Sequence, residues 1–303
     1  MINKQESITA KLCSFARAYH SNYGRDKIFD DYLAYDMMGK QEYEEIGQLI
    51  ENDFKLKVYD PNAVFKTVRI NSKLNKYISP IPLSRIAYAE EKLTQFADRH
   101  GECQYVICGA GMDTFAFRND NENITVFELD HPDTQRYKLE KIRRLEWNIP
   151  HNAKYVPIDF SVDNMEKVLK SSGFRTSVPT FFSILGVTYY LTLPVFAETV
   201  SHIAHLSDEY TELVFDYPDE TTFQQNKKSR VSELSDITAQ LGEPMKHGYG
   251  FSELEKTLEN HGFSVTSHMT PQKIQKSYFK NRQDGQYAFE NIHFILAAKG
   301  ESI

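Results

Sequence analysis

The chain has 303 residues, 41% of them hydrophobic and 13% aromatic, enough apolar material for a full core and too much for a disordered chain. Its formal net charge of −7 argues against a nucleic-acid-binding surface as the main function, because Lys and Arg are scattered apart from short clusters such as Lys138 to Arg144. Three cysteines (Cys13, Cys103 and Cys108) have spacings that match neither a zinc site nor a disulfide framework, so the chain reads as cytoplasmic.

The first residues, "MINKQESITAK", contain no apolar stretch of the kind a signal peptide carries. Residues 1 to about 100 read as a helical cover. "SITAKLCSFARAYH" has a Ser7 cap and apolar residues at helical spacing, and "LSRIAYAEEKLTQFADRHG" follows with Ser84 as its cap candidate and Gly101 as its stop.

From residue 101 to 303 the rhythm changes. Five strand-like runs ("CQYVICGAG", "NITVFELD", "AKYVPIDF", "PTFFSILG" and "YTELVFDYP") alternate with helical patterns, which predicts a doubly wound, mostly parallel α/β sheet. "HGFSVTSHM" and "FENIHFILAAKG" then predict a closing antiparallel hairpin with no strong helix between its strands. The polar stretch at about 218–250 reads as a lid over the ligand edge. Residues 176–197 carry no charge and are long enough to span a bilayer on paper, but Pro179, Gly186 and Pro194 favour a buried strand, a turn and a helix start.

In such sheets the ligand lies at the carboxyl ends of the strands. The first strand ends at Gly109-Ala110-Gly111, where glycines permit positive φ and close backbone approach. The second ends at "FELD", about the twenty-residue distance at which an acid meets ribose hydroxyls. Dinucleotides and S-adenosylmethionine both use this layout. The dinucleotide fingerprint wants a third glycine where this chain has Thr114, and Asp113 would confront the pyrophosphate where bare amide donors are needed. A cationic methyl donor tolerates that acid, so the residues favour S-adenosyl-L-methionine. A plain helix cap is an equally compatible role for Asp113.

"CGAGMDTFAFR", "VFELDHP", "VPIDF" and "LGVTYYL", in this order, resemble the leucine carboxyl methyltransferase-like family of S-adenosylmethionine-dependent methyltransferases. "SITAKLCSFARAYHS" with "IFDDYLA", and "LGEPMKHGYGFSELEKTLENHGF", are similar to its bacterial small-molecule O-methyltransferase branch. The resemblance implies a class I methyltransferase sheet with a helical cover. It also implies that Arg85 pairs with the methionine carboxylate, that Gly109, Ala110 and Gly111 pass under the methionine part, and that Asp130 holds the ribose hydroxyls, with Glu128 on the same strand face as its competitor. Asp159 and Phe160 would border the adenine, and Leu185-Gly186 would line the site from the fourth strand. Arg17 resembles a basic position near the cofactor, although an Arg on an exposed helix is the plainer reading. One departure stands out: several family members carry an acid where this chain has Leu185, which weakens transfer of a protein-methylating activity.

The resemblance also implies a small-molecule methyl acceptor. Tyr189 and His247 are the acceptor-side candidates, while Tyr190, His20 and His202 read as structural. No zinc, Ser–His or P-loop constellation is present. Three functions follow: an O-methyltransferase acting on a small carboxylate or hydroxyl compound, a silent S-adenosylmethionine binder or partner-binding module, and, against Asp113 and Thr114, a nucleotide-dependent oxidoreductase.

Overall fold

The computed structural model describes residues 7–52, 66–160, 162–206, 210–224, 229–240 and 242–300. The N-terminal cover contains α1 (Ile8–Tyr23), α2 (Ala34–Met38), α3 (Lys40–Asn52), α4 (Lys66–Lys73), a π-helical turn (Leu74–Ile78) and α5 (Pro80–His100). Ser7 caps α1 as expected, its hydroxyl accepting from Ala10 N at 3.1 Å. Ser84 does not cap α5. The helix begins a full turn earlier, because Pro80 and Pro82 in its first turn need no amide partner, and Ser84 Oγ donates to Pro80 O at 2.6 Å from inside the helix.

The sheet follows with β1 (Cys103–Cys108), β2 (Ile124–Asp130), β3 (Ala153–Pro157), β4 (Thr180–Ile184), β5 (Thr211–Pro218), β6 (Ser264–Met269) and β7 (Ile292–Lys299). Its order is β3-β2-β1-β4-β5-β7-β6, parallel throughout except that β7 runs antiparallel to β5 and β6. Every residue of β1, β4 and β5 is buried, as strands covered on both faces must be. α5 packs on one face, burying Tyr88, Leu93 and Phe96. On the other lie α8 (Met165–Ser171), α9 (Leu193–Leu206) and α11 (Phe251–Asn260), with Leu169, Phe196 and Leu258 buried among them.

The closing hairpin is interrupted by a helix, α12 (Pro271–Tyr278), which the sequence reading omitted. Thr270 caps it, accepting from Lys273 N, and Pro271 occupies its first position. The uncharged run at 176–197 becomes β4, a 3₁₀ turn (Thr188–Tyr190) and the start of α9. Among the described residues no helix is long and apolar enough to cross a membrane.

Candidate functional site

At the carboxyl edge of the sheet β1 gives way to the glycine turn. Gly109 and Gly111 both hold positive φ, +80° and +51°, a region that side chains with a Cβ enter only with strain. The turn is pinned to β2: Gly109 N and Ala110 N both donate to Leu129 O, and Gly111 N donates to Asp130 Oδ2 at 2.5 Å. Asp130 Oδ1 accepts from His131 N at 2.7 Å. Burial raises the Asp130 pKa against the lowering pull of these two amides. The helix after the turn is a single turn, α6 (Phe115–Arg118), with Thr114 at its cap position; Asp113, one residue before the cap, accepts from Phe115 N at 2.6 Å.

Above this turn opens a cleft of about 240 Å³, lined by residues 109–113, Asp130, Arg85 and Arg17, with Leu185 and Gly186 across from them. Val187 leans over the turn so closely that a Cβ on Gly109 would lie 2.9 Å from its Cγ2. On the far side of Val187 is a second lobe of about 560 Å³ that includes Phe160, Ile184 and Val195. The cleft thus gathers Arg85, Gly109, Ala110, Gly111, Asp113, Asp130, Leu185 and Gly186, whereas Phe160 sits in the outer lobe. Asp159 lines neither cavity, and its carboxylate lies 3.7 Å from His131 Nε2.

Glu128 does not reach the cleft. It shares a strand face with Asp130, but it sits one residue pair below the strand end and is ion-paired with Lys138 of α7 (Pro132–Arg144), both side chains almost fully buried. Burial raises its pKa to about 7, opposed by Lys138. Arg17 also departs from expectation. It is buried, paired with Asp31 at 2.5 Å, and donates to Met112 O at 2.8 Å, so it supports the glycine turn from α1.

The strongest polar junction centres on a residue absent from the sequence candidates. Asp216, near the end of β5, is fully buried and accepts from Arg85 Nη1 at 3.1 Å, Gly186 N at 2.6 Å and Tyr189 OH at 2.8 Å. Burial works against the charge on Arg85, but Asp216 outweighs it and raises the guanidinium pKa. A Cβ on Gly186 would stand 2.5 Å from Arg85 Nη2, so the glycine makes room for the pair. An Asp inside the apolar run "LVFDYP" was the available signal.

Behind Arg85 lies an inner pocket of about 40 Å³ that shares Thr9, Cys13, Arg85 and Gly186 with the cleft. Its walls are apolar, including Leu12, Ile81, Val231 and Leu234, the last two from α10 (Arg230–Gln240). Tyr189 lines it, but its hydroxyl is spent on Asp216, and burial beside that acid pushes its pKa well above the ordinary value. His247 lines neither cavity; its backbone N–H donates to Tyr189 O at 3.3 Å. Tyr190 lines the cleft and donates to Thr9 Oγ1 at 3.3 Å. His20 is buried and accepts from Ile28 N, and His202 lies near Glu166 and Glu198. Among the described residues no group of three or more His, Cys, Asp or Glu could hold a metal ion.

The profile of the leucine carboxyl methyltransferase family matches residues 10–204. The chain is 35% identical over 312 aligned positions to the Bacillus subtilis (strain 168) protein named "Putative S-adenosyl-L-methionine-dependent methyltransferase YktD", covering 99% of this chain and 100% of that one. A Mycobacterium marinum protein of the same description is 27% identical, with 72% of this chain and 76% of that one aligned. Among solved structures, a duf574 family protein from Streptomyces avermitilis superposes with a TM-score of 0.54 at 14% identity, covering 84% of this chain and 97% of that chain, a likeness of fold alone.

Proposed function

The chain belongs to the leucine carboxyl methyltransferase family, and from that premise we propose that it transfers the methyl group of its cofactor to an oxygen of a small-molecule carboxylate or hydroxyl compound. That it is an S-adenosyl-L-methionine-dependent methyltransferase comes with the family. One observation supports the choice of a small acceptor: the strand-end cleft continues past Arg85 and Gly186 into an apolar pocket of about 40 Å³, walled by α10. A concave apolar recess opening off the cleft, rather than an exposed face, favours a small molecule over a protein surface or a nucleic acid, and the net charge of −7 also disfavours the latter.

In this reading residues 1–100 form the cover and 101–303 the donor-binding domain, with a lid at about 218–250. Residues 225–228 and 241 of that lid lie outside the described residues. Gly109, Ala110 and Gly111 bear the methionine part. Asp130 takes the ribose hydroxyls, since its carboxylate stands at the strand end facing the cleft. Phe160 borders the adenine from the outer lobe, while Asp159, the other expected adenine neighbour, faces His131. Arg85 meets the methionine carboxylate while Asp216 holds its guanidinium in place. Three free thiols fit a cytoplasmic setting.

The sulfonium methyl is already activated, so the protein's work is orientation and exclusion of water. A carboxylate acceptor is ionised at neutral pH and needs no base. A hydroxyl acceptor would profit from one, and the Tyr189 hydroxyl is already committed to Asp216. The test is transfer of labelled methyl from S-adenosylmethionine to pooled small acids and phenols, followed by mild alkali, which releases methanol from esters and leaves ethers intact. Label found only on protein or nucleic acid would overturn the reading. S-adenosylhomocysteine should raise the melting temperature where NAD does not.

A further inference from the structure

A third cavity, about 460 Å³, lies away from the strand ends and shares no lining residue with the cleft, the inner pocket or the outer lobe. It is walled by the last turns of α1, the π-helical turn and the loop 281–286 before β7. Its volume falls within the range of small-molecule sites. It is unusual in being floored by buried polar side chains, with His20, Asn75, Ser79 and Gln286 each 7% exposed or less. Polar groups are buried at a cost unless something hydrogen-bonds them.

Accounting for the charges identifies what this cavity can receive. The Arg282 side chain is 4% exposed, and its three nitrogens are committed: Nε and Nη2 to Asp284, Nη1 to Asp26 Oδ2, and Nη2 also to Asp26 O. Arg282 offsets one of these two carboxylates and Arg25, in the same lining, offsets the other, so the cavity presents no net charge to a ligand. Four of the five N–H donors of Arg282 are already used, which leaves it little to offer an anion. His20 Nε2 accepts from Ile28 N, and burial lowers its pKa to about 4, so it stays neutral near pH 7. Arg25 is the one further charge in the lining, and it is exposed. Asn75 Nδ2 already donates to Asp284 O at 2.8 Å; its carbonyl oxygen, with Asn281, Gln283 and Ser79, makes up a polar lining of carboxamides and hydroxyls that offers donors and acceptors together. Tyr19 and Tyr23 add an aromatic rim, their rings 4.8 Å apart and Tyr23 largely exposed. Asn281 holds φ +62°, a conformation that turns the loop at this wall.

We propose that this cavity is a second binding site, for a neutral polyhydroxylated ligand of the sugar class, distinct from the methyl-transfer site. Hydroxyls that each donate and accept match the carboxamides, and a sugar's C–H face suits the tyrosine rim.

Saturation-transfer NMR on the full chain, with S-adenosylhomocysteine present to fill the donor cleft, tests this with glucose, maltose and glucose 6-phosphate. Signal is expected for glucose or maltose, with the phosphate weaker, and affinity should fall about tenfold in Asn75→Leu. Tyr23→Ala, at an exposed rim position, should weaken binding without disturbing the fold. Four results would overturn the proposal: no transfer to either neutral sugar, glucose 6-phosphate binding as well or better, displacement by S-adenosylhomocysteine, or binding indifferent to both substitutions.

Discussion

In the proposed reading the strand-end cleft is the donor side; it meets the inner pocket at Arg85 and Gly186, but the two are built in opposite ways. The donor side is backbone held by backbone: two glycines at positive φ, amides donating to Leu129 O, and one carboxylate at a strand end. The inner side hangs on one buried side chain, with Asp216 collecting Arg85 from α5 and both Gly186 N and Tyr189 OH from the turn after β4. Backbone geometry tolerates sequence change around it, whereas a buried charge pair fails when either member is lost. The two sides should therefore break differently.

The largest effect is expected on the inner side. Asp216→Ala strands the Arg85 guanidinium in a buried site, and such a loss costs about 3–5 kcal/mol. Equilibrium unfolding in urea measures it. Arg85→Leu combined with Asp216→Leu should be less destabilised than Asp216→Ala alone, because no unpaired charge remains buried. A cost below about 1 kcal/mol for Asp216→Ala would mean that the junction is no tighter than a surface pair.

The cover holds a pH-dependent weakness of similar size. His20 has its pKa lowered to about 4 by burial and nearby Arg282, against an ordinary 6.5, so the unfolded chain takes up its proton first as pH falls. Stability is complete above pH 6.5 and declines toward pH 4, by on the order of 3 kcal/mol at most from this group. Other groups titrate in the same window, and Glu128, with its pKa raised to about 7, acts in the opposite direction. The informative quantity is therefore the difference between wild type and His20→Asn. Melting curves from pH 7 to 4.5 should converge as pH falls; parallel curves would show that His20 titrates normally.

On the donor side the expected loss is in binding rather than folding. Asp130→Ala removes the acceptor for Gly111 N and, in the proposed reading, the ribose contact. S-adenosylhomocysteine affinity should fall about 10- to 100-fold, equivalent to roughly 1.4–2.8 kcal/mol. Calorimetric titration reads it, and unchanged affinity with an intact melting transition would remove Asp130 from the cofactor site.

The same division explains what was legible in the chain. Strand period, glycine placement and the distance from Gly109 to Asp130 are local properties, and they led to the sheet, the turn and the cleft. Glu128 and Asp130 were indistinguishable because period two puts both on one face. Lys138, 10 residues on in the helix that follows β2, separates them. Arg17 read as a surface residue because its partners, Asp31 and Met112, come from elsewhere in the fold. Ser84 misled because a cap residue and an interior Ser bonded to the preceding turn look alike in one dimension. α12 was within reach, since Thr270 before Pro271 is a start signal, but at eight residues its periodicity is short. Asp216 was visible only as an acid inside an apolar run.

A smaller test bears on how the two sides are tied together. Glu243, in the loop after α10, lays its carboxylate across the start of α1, accepting from Ile8 N at 2.8 Å, Thr9 N at 3.1 Å and Ser7 Oγ at 3.0 Å. These are the unpaired amides of a helix N-terminus, where a negative charge is favoured. Thr9 lines both the cleft and the inner pocket, and Met245, two residues after Glu243, lines the latter, so one carboxylate links the proposed lid to the cover. Glu243→Ala should cost about 1 kcal/mol, the value of a lost cap. Because the loop that carries Glu243 walls the inner pocket through Met245, its loss should change the KM for the acceptor more than the affinity for S-adenosylhomocysteine. Glu243→Gln, which keeps an oxygen acceptor but loses the charge, should lie between wild type and Glu243→Ala. If cofactor affinity fell as much as acceptor KM rose, α1 would act as part of the donor cleft, and the two sides would not be separable.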